Sequence, residues 1–534
     1  MTMLAPYRSL QASANDGFGS LLRAEWTKFR TVRGWVIGML VGLLLFLGLG
    51  VLTTKGSQCG IQPTGSSQVL ACPAPPTGPG GEFVSDAFYF VRQPLAGNGS
   101  VTVRVTSLTG LYSTHGGVPA GRSGQSLLAG MTPGVQPWSK AGIIIAASTA
   151  QGSAYAAMMV TGDHGVRMQW DYVDDVAGMA GKVSATSPRW LRLTRTGDVI
   201  RGYDSADGTH WMLVGTATLT GLTGYAPAGL FAATPGYTAI SNGLGTTSAK
   251  GGGALATGAF DHVSLQGASR AAQWKGEAIA ANNINANSLP ASVQGFTQSG
   301  GRFTVSGSGD IAPDVTDGAS IEQTLAGTFV GMIAVVVIGV MFITAEYRRG
   351  LIRTTLAASP RRGRVLAAKA VVLAAVTFVA GMVAALIMVP LGERLLRESG
   401  NPNIPTSALT EVRIVVGTAA LLAVCAVLAL AVGTLLRRSA LAVAAVVAGI
   451  VLPYILAVIS GILPTGAEDW LLRITPAAAF SVQKTLTPYP QVFAQYTPAN
   501  GYFPLAPWAG FAVLCAWAAA AFALAVFMLH RRDA

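Results

Sequence analysis

The sequence predicts a multi-domain membrane protein in which six apolar helices span a bilayer and a large β-sandwich is inserted between the first two. Hydrophobic residues make up 51% of the 534 residues and charged residues only 11%, whereas soluble globular proteins carry about 25% charge. Six apolar stretches are long enough to cross a bilayer, and a strand-rich region separates the first from the second. Composition and order of segments together predict this fold class.

A bilayer-crossing helix needs about 20 mostly apolar residues, because each residue rises about 1.5 Å and the hydrocarbon is about 30 Å thick. The fifth stretch contains Pro453, which favours a kink. The six stretches are Trp35–Leu52, Leu325–Thr344, Val365–Pro390, Ile414–Leu436, Ala440–Leu463 and Trp508–Leu529.

Lys and Arg in the short flanks of the spans predict the orientation. Cations dominate the N-terminal flank, the loop 345–364, the Arg437–Arg438 turn and the C-terminal tail, whereas acids balance them on the opposite side. Both termini are therefore expected in the cytoplasm of a multi-pass plasma-membrane protein, with residues 53–320 outside. The net charge of +12 fits this topology and contact with anionic membrane lipid. Nucleic-acid binding is not expected, since no basic patch is interleaved with aromatic residues.

Charged residues are nearly absent from the predicted spans. Lys369 lies near one interface, and the spans otherwise lack the carboxylates or histidines that ion-driven transporters place at bilayer depth. A secondary transporter or a charge-ring channel is therefore disfavoured. If the protein moves a substrate, its energy is expected to come from elsewhere.

Two segments flanking the spans carry further signals. Ser20–Gly34 predicts an interfacial helix, with Leu22, Trp26 and Phe29 on one apolar stripe and a cationic remainder. The segment AEYRRGLIRTTLAASPRRGRVLAAKA, which begins at Ala345, carries six Arg, one Lys and one Glu, and Pro360 ends a short helix there. This segment is either a topology signal alone or a docking helix for a cytoplasmic partner.

Both segments resemble a known family. LLRAEWTKFRTVRGW and the Ala345 segment, together with ITPAAAFS, are similar to actinobacterial permeases of the second type of ATP-binding-cassette (ABC) transporter, an exporter permease family. The resemblance covers residues 20–52 and 321–534. It implies a connecting helix at Ser20–Arg33 and a coupling helix at Glu346–Leu356, in a complex of two six-span subunits, identical or different, with two cytoplasmic ABC ATPase subunits. The coupling residues would be Glu346, Tyr347, Arg348, Arg349, Leu351, Ile352, Arg353 and Leu356.

The chain itself lacks an ATPase signature. VAGMAGKV, which begins at Val176, departs from GxxxxGK[ST] at its first and last positions. We therefore expect a transport subunit that is not an enzyme and has no cofactor of its own, with ATP used by the partner. In the insertion, the acids lack the paired arrangement of a glycosidase, and Asp207 is interpreted as a turn residue.

The insertion begins with a Pro-, Gly- and Ser-rich stalk, in which Cys59 and Cys72 predict a disulfide in an oxidising compartment. Cys425 and Cys515 are interpreted as packing residues within spans. Short strands and Gly/Asp turns then predict a two-sheet sandwich. The run WLRLTRTGDVIRGYDSADGTHWMLVG resembles concanavalin-like jelly-roll domains, which makes an extracellular glycan a candidate ligand.

The predicted organisation leaves two functions open: a permease subunit of unidentified substrate, or a membrane-anchored extracellular glycan-binding or sensor protein. Six spans and a docking loop favour transport, because an anchor needs one span. The predicted domains are the cytoplasmic N-terminus 1–34, the first span 35–52, the stalk 53–85, the sandwich 86–270, a hairpin and linker 271–320, and spans two to six with their coupling loop in 321–534.

Overall fold

The computed structural model divides the chain into two compact units, which are described separately. The helical unit comprises Met1–Cys72, Ala319–Thr487 and Gln495–Ala534, and the β-rich unit comprises Pro73–Gly318 and Pro488–Ala494. The structure describes residues 17–57, 72–114, 125–222, 224–243, 246–268, 273–280, 289–315, 317–350, 361–458, 466–492, 496, 498 and 501–531.

Eight helices form the frame of the described helical unit. A short helix, Ile321–Thr324, precedes the third of them, and a 3-10 helix, Pro476–Gln483, lies between the last two. The eight are α1 Phe18–Thr31, α2 Arg33–Gly56, α3 Thr328–Arg348, α4 Arg362–Glu398, α5 Ala408–Leu436, α6 Ser439–Val458, α7 Ala467–Ile474 and α8 Pro507–Arg531.

Six helices of the described chain, α2 to α6 and α8, are long and apolar enough to cross a membrane. They coincide with the six predicted stretches, but several run further. The helix α4 passes the predicted end at Pro390 and has 37 residues, so at about 1.5 Å per residue it exceeds the bilayer core. The last turns of this helix are polar. A prediction from hydropathy alone therefore placed the end of the helix too early.

The helix α5 lies at the centre of the helical unit. In its most apolar window 78% of residues are buried, against 17% in α2 and 22% in α6 and α8. Its sequence is rich in Ala and Gly, and small residues let neighbouring helices approach closely. It packs against α3, α4, α6 and α8, and the exposed apolar faces of the outer helices suit contact with lipid.

Eighteen strands are described in the β-rich unit, together with a helical turn at Gln125–Leu128. The strands are β1 Val84–Asp86, β2 Phe88–Tyr112, β3 Thr132–Pro133, β4 Lys140–Ala146, β5 Tyr155–Thr161, β6 Val166–Trp170, β7 Asp174–Ala177, β8 Arg189–Thr196, β9 Val199–Ser205, β10 Met212–Thr218, β11 Tyr225–Ala233, β12 Tyr237–Gly243, β13 Thr246–Gly252, β14 Ala254–Ala268, β15 Lys275–Ile279, β16 Gly295–Ser299, β17 Arg302–Gly307 and β18 Ile311–Pro313.

One long strand organises the main sheet, whose strand pairs are all antiparallel. The order is β10-β9-β8-β2-β11-β4-β5-β6-β7, and β2 also pairs with β3, β14 and β15. Although short strands were predicted, β2 has 25 residues, because its first half pairs with β11 and β15 while its second half pairs with β8 and β14. The strands β4 and β5 also pack against β8, so the sheet folds over a common core.

The register of neighbouring strands explains which side chains form that core. The residues Val91, Leu230, Ile143, Met158 and Met168 stand side by side on five neighbouring strands, and all are fully buried. The opposite face is also apolar, with Phe90, Phe231 and Met159 in a second cluster. The central strands β4 and β5 are therefore buried along their whole length, as expected for strands covered on both faces.

The β-rich unit extends beyond the predicted sandwich limits. The hairpin β16–β17 pairs with β14, so it belongs to the main sheet, although it was predicted as a hairpin outside the sandwich limits. The predicted stalk begins inside α2, which continues to Gly56, and closes with β1 paired to β18. Cys72 is disulfide-bonded, but Cys59 lies outside the described residues, so the predicted pairing stays a prediction.

Candidate functional site

The predicted coupling residues begin as the end of a span, not as a separate helix. Glu346, Tyr347 and Arg348 form the last turn of α3, whereas a short helix over Glu346–Leu356 was expected. The turn ends when the Gly350 N–H donates to the Tyr347 carbonyl, with Gly350 at a φ of 67°. Glycine adopts this left-handed conformation without the usual steric penalty and commonly ends helices.

The other half of the predicted coupling set is not described. Leu351, Ile352, Arg353 and Leu356 lie outside the described residues, and the next helix, α4, begins at Arg362. Their role as a docking surface stays a prediction. The described helices nevertheless fix both flanks of the segment 351–360.

These flanks meet α1 in a buried charge cluster. The Lys369 Nζ on α4 donates to Glu25 Oε2 on α1 at 2.7 Å and to Glu346 Oε1 on α3 at 2.6 Å. The Lys28 Nζ on α1 donates to Glu25 Oε1 at 3.0 Å and to Glu346 Oε1 at 3.2 Å. We call Glu25, Lys28, Glu346 and Lys369 the α1–α3–α4 charge cluster. It balances two carboxyl groups against two amines, so each charged group has an opposite partner.

The cluster is shielded from solvent. The side chains of Lys369 and Glu25 are 0% and 3% exposed, and Glu346 is 12% exposed, whereas Lys28 remains 41% exposed. The Phe342 ring lies 4.9 Å from Lys369 Nζ, an arrangement that stabilises a cation. Burial lowers the pKa of Lys28, but the Glu25 and Glu346 carboxylates more than offset this and raise the pKa above its usual value.

The cluster adds detail to two expectations from the sequence. Glu346 was expected as a coupling residue toward the ATPase, and that role stays a prediction. Within this chain its Oε1 accepts from both lysines. Lys369 was expected near one interface of its span, and its side chain is fully buried. The sequence shows Lys369 but not its partners, because the pairing joins residues 344 positions apart.

The partner that sequence reasoning missed is Glu25. Phe29 and Glu25 are the buried residues of α1, while Trp26 of the predicted apolar stripe is 47% exposed. Glu25 precedes Phe29 by four residues and so shares its face, and α1 packs with that face against α2 and α4. The sequence did offer a signal for this pairing: a carboxylate on the apolar face of one predicted helix, together with a lysine inside a predicted span.

Two further contacts tie the same ends of the helices together. The Arg437 guanidinium, at the end of α5, stacks over the Tyr347 ring at 5.0 Å. The Arg362 Nη1 at the start of α4 donates to the Leu529 carbonyl of α8 at 2.6 Å. The flanks of segment 351–360 are therefore connected to α1, α5 and α8.

A second polar network surrounds the 3-10 helix. The Gln483 Nε2 donates to Thr328 Oγ1 on α3 at 3.1 Å and to Thr418 Oγ1 on α5 at 3.0 Å. The Thr485 N–H donates to Glu322 Oε1 at 2.7 Å. Burial raises the pKa of Glu322, against the effect of its hydrogen bonds from Thr485. These bonds, which we call the Gln483 network, fix residues 483–485 to the helical unit.

Structural partners hold three of the acids of the β-rich unit. Asp175 accepts from Arg167 and Gln169, and Asp171 accepts from the Tyr155 N–H. Asp207 lies in a turn, where its Oδ1 accepts from the Thr209 and His210 N–H groups. Among the residues the structure describes, His, Cys, Asp and Glu form no group that could hold a metal ion.

The charge cluster connects three helices at one end of the helical unit. Three helices share one buried amine, and two of them flank the segment 351–360. Since removing one member of a buried ion pair leaves an uncompensated charge, α1, α3 and α4 are expected to move together at this end.

No curated protein matches the chain. Solved structures with partial similarity include a functionally unknown protein from Saccharomyces cerevisiae (18% identity over 33% of this chain and 74% of that one, TM-score 0.20). SCP-B of the eqolisin peptidase family, with a bound tripeptide, shows 11% identity over 43% of this chain and 100% of that one, with a TM-score of 0.24. TM-scores this low carry no conclusion about fold or function.

One protein family matches a large part of the chain. The family described as ABC-2 family transporter protein matches residues 209–534, which is more than half of the chain and includes α3 to α8. The match contains the ends of α3 and α4 that carry Glu346 and Lys369. The chain therefore belongs to the ABC-2 transporter family and is a membrane transport component.

Proposed function

We propose that the chain is the permease subunit of an ATP-driven exporter, and that a separate ABC ATPase binds at the segment 345–364. The observation that carries the proposal is the α1–α3–α4 charge cluster. It joins both flanks of the segment to the connecting helix through one fully buried amine. A push on the segment would thereby reach three helices at once.

The proposed docking surface combines apolar and charged groups. Leu351, Ile352 and Leu356 would fill an apolar groove on the ATPase, and Arg348, Arg349 and Arg353 would pair with its acids. Exposed ion pairs contribute only about 0–1 kcal/mol each, so the apolar side chains are expected to dominate the affinity. Glu346 would instead hold the helix end in place through Lys369.

The complete transporter would contain two permease subunits, identical or different, and two ATPase subunits. ATP would be bound and hydrolysed by the partner, and the permease would need no cofactor. Lys and Arg at the α3–α4 ends support a cytoplasmic position for this region and for both termini. The β-rich unit would then lie outside the cell as a jelly-roll sandwich of the concanavalin-like type, with a glycan as its candidate ligand.

The test changes the docking surface without touching the charge cluster. In Leu351→Asp/Leu356→Asp we expect the ATPase to be lost on copurification, because two carboxylates replace apolar contacts. Leu409→Asp is the matched control, since Leu409 is 84% exposed at the start of α5, the end opposite Arg437. Binding and ATP turnover are measured for both variants after confirming normal membrane insertion. Undiminished association in the double variant would refute docking at this segment.

A further inference from the structure

The β-rich unit contains a segment that the sequence places among the helices. Residues Pro488–Ala494 lie between α7 and α8 in the chain, yet they group with Pro73–Gly318. Gln491 is only 1% exposed. Its Nε2 donates to the backbone oxygens of Tyr172 at 3.2 Å and Val173 at 3.3 Å. One side-chain amide therefore fixes this loop to the turn between β6 and β7.

The turn that receives Gln491 has an unusual backbone held by its own contacts. Asp171 and Tyr172 have φ angles of 45° and 67°, a left-handed conformation that is uncommon for residues other than glycine. The Val173 N–H donates to the Asp171 carbonyl at 2.8 Å. Such a conformation persists only where surrounding structure determines it, which indicates that the acceptors are pre-arranged.

The contacts that hold the turn lie in the interior of the β-rich unit. The Tyr172 hydroxyl donates to Asp86 Oδ2 at 2.8 Å and to the Ser153 carbonyl at 3.1 Å. The Tyr172 ring meets the Tyr155 ring edge-on, with centroids 4.9 Å apart. The position of the two acceptor carbonyls thus depends on the packing of β1 and β5, and a change in that packing would reach Gln491.

The same loop is anchored in the helical unit a few residues earlier. Gln483 and Thr485 belong to the Gln483 network, which includes Thr328 of α3 and Thr418 of α5. The connector from Thr485 to Gln491 reads TLTPYPQ, with Pro488 and Pro490. Proline fixes φ and limits the conformations of the preceding residue, so this connector is stiff.

We propose that the β6–β7 turn is an intramolecular docking site for the loop between α7 and α8, with Gln491 as its positioning residue. The state of the β-rich unit is passed through the proline connector to the 3-10 helix, and from there to α3 and α5. The consequence for transport rests on the proposed function, whereas the docking itself does not.

The first experiment measures docking in the purified full-length chain. Hydrogen exchange is followed in peptides covering residues 484–492 and 171–177 for Gln491→Ala and for Gln491→Glu, which keeps the size but removes the donors. Loss of two hydrogen bonds makes local opening of these two segments easier. Their backbone amides are therefore expected to exchange roughly 5- to 30-fold faster. The control is Gln294→Ala, because Gln294 donates to the Leu289 carbonyl within the β-rich unit at 3.1 Å. Unchanged exchange in both Gln491 variants would overturn the docking site.

The second experiment measures coupling in liposomes with the copurified ATPase. We expect ATP turnover of Gln491→Ala to change by about fivefold or more, with a smaller effect of Gln294→Ala. Faster exchange with unchanged turnover would overturn the coupling while leaving the transport function intact. If no ATPase associates even with the unaltered chain, the proposed function and the coupling both fail, and the exchange result alone decides the docking.

Discussion

At the scale of single residues, Lys369 shows why a charge is tolerated inside an apolar helix. Its amine is fully buried but accepted by two carboxylates from two other helices. Burial of an ion pair is costly unless opposite charges and hydrogen bonds compensate it. The residue is therefore expected to contribute far more to stability than a lysine at the protein surface.

The two lysines of the charge cluster are expected to contribute very differently to the stability of the protein. Lys369→Met leaves Glu25 and Glu346 buried without their shared amine, so we expect a loss of about 3–5 kcal/mol. Lys28→Met is the matched control, with an expected loss of about 1 kcal/mol or less, because Lys28 is 41% exposed. Thermal denaturation of the purified variants measures the difference. Equal stability would mean that the cluster does not hold the helices together.

Asp86 gives a pH dependence to the β-rich unit. Burial raises the pKa of Asp86 from 3.8 to about 6, although the Tyr172 hydroxyl and the Gly152 N–H act against this. Since the folded state binds the proton more tightly, the stability contributed by protonation is complete below about pH 4 and is lost as the pH rises through about 6. The predicted change is about 3 kcal/mol, at 1.36 kcal/mol per pKa unit.

Asp86→Asn isolates this contribution, because the amide keeps the size and an acceptor oxygen but does not titrate. Thermal unfolding between pH 4 and 8 should show a smaller change in the variant than in the unaltered protein. Asp171, whose pKa burial also raises to about 6, contributes in the same range and accounts for the remaining slope. Identical pH profiles would show that Asp86 does not titrate as proposed.

At the scale of elements, α2 packs through a row of glycines. A Cβ on Gly42 would lie 2.9 Å from the Ala334 Cβ of α3, and one on Gly50 would lie 2.7 Å from the Met388 sulfur of α4. Gly42 and Gly50 are eight residues apart and so share one face of the helix, and small residues on such a face let membrane helices approach closely. The sequence LVGLLLFLGLG therefore encodes a packing face within a segment that hydropathy describes only as apolar.

Gly42→Leu should separate α2 from α3. Overpacking of a close contact destabilises by about 1–3 kcal/mol, which we expect as a lower thermal transition of the purified protein. Gly48→Leu is the matched control, because a Cβ there meets nothing within 4 Å. If both variants unfold at the same temperature, the glycine row has no role in packing.

At the scale of the whole molecule, the chain passes between its two units at four places. Two of these bracket Pro73–Gly318, and two bracket Pro488–Ala494. The second pair is unexpected from hydropathy, because the segment is short and lies between helices. The chain therefore connects the β-rich unit to the helices at four points. A receptor domain carried on a single linker would have one such connection.

The proposed topology is tested by cysteine labelling of intact cells. Ala206→Cys, at an exposed position in the β9–β10 turn, is expected to react with a membrane-impermeant maleimide. Ala24→Cys, exposed on α1, is expected to react only after permeabilisation. The unaltered chain provides the background from Cys425 and Cys515. Labelling of Ala24→Cys in intact cells, with protection of Ala206→Cys, would reverse the orientation.

Local patterns in the sequence predicted the six helices that, in the described part of the chain, are long and apolar enough to cross a membrane. They also predicted the strand-rich nature of the β-rich unit. A span is recognised from about 20 neighbouring residues and a strand from alternation over a few, so both signals are complete before the chain folds. The end of α4 was placed too early because polar residues can continue a helix beyond the bilayer core. The family resemblance was likewise carried by short motifs near the spans.

Only the tertiary structure decided which of these residues meet. It paired Lys369 with Glu25 across 344 positions and Gln491 with Tyr172 across 319. It also turned Glu346 inward, although Arg348 and Arg349, which follow closely in the sequence, are exposed. No local pattern encodes such contacts, because their partners are selected by packing of whole helices and sheets. A buried polar group needs a partner, and packing decides which one is within reach.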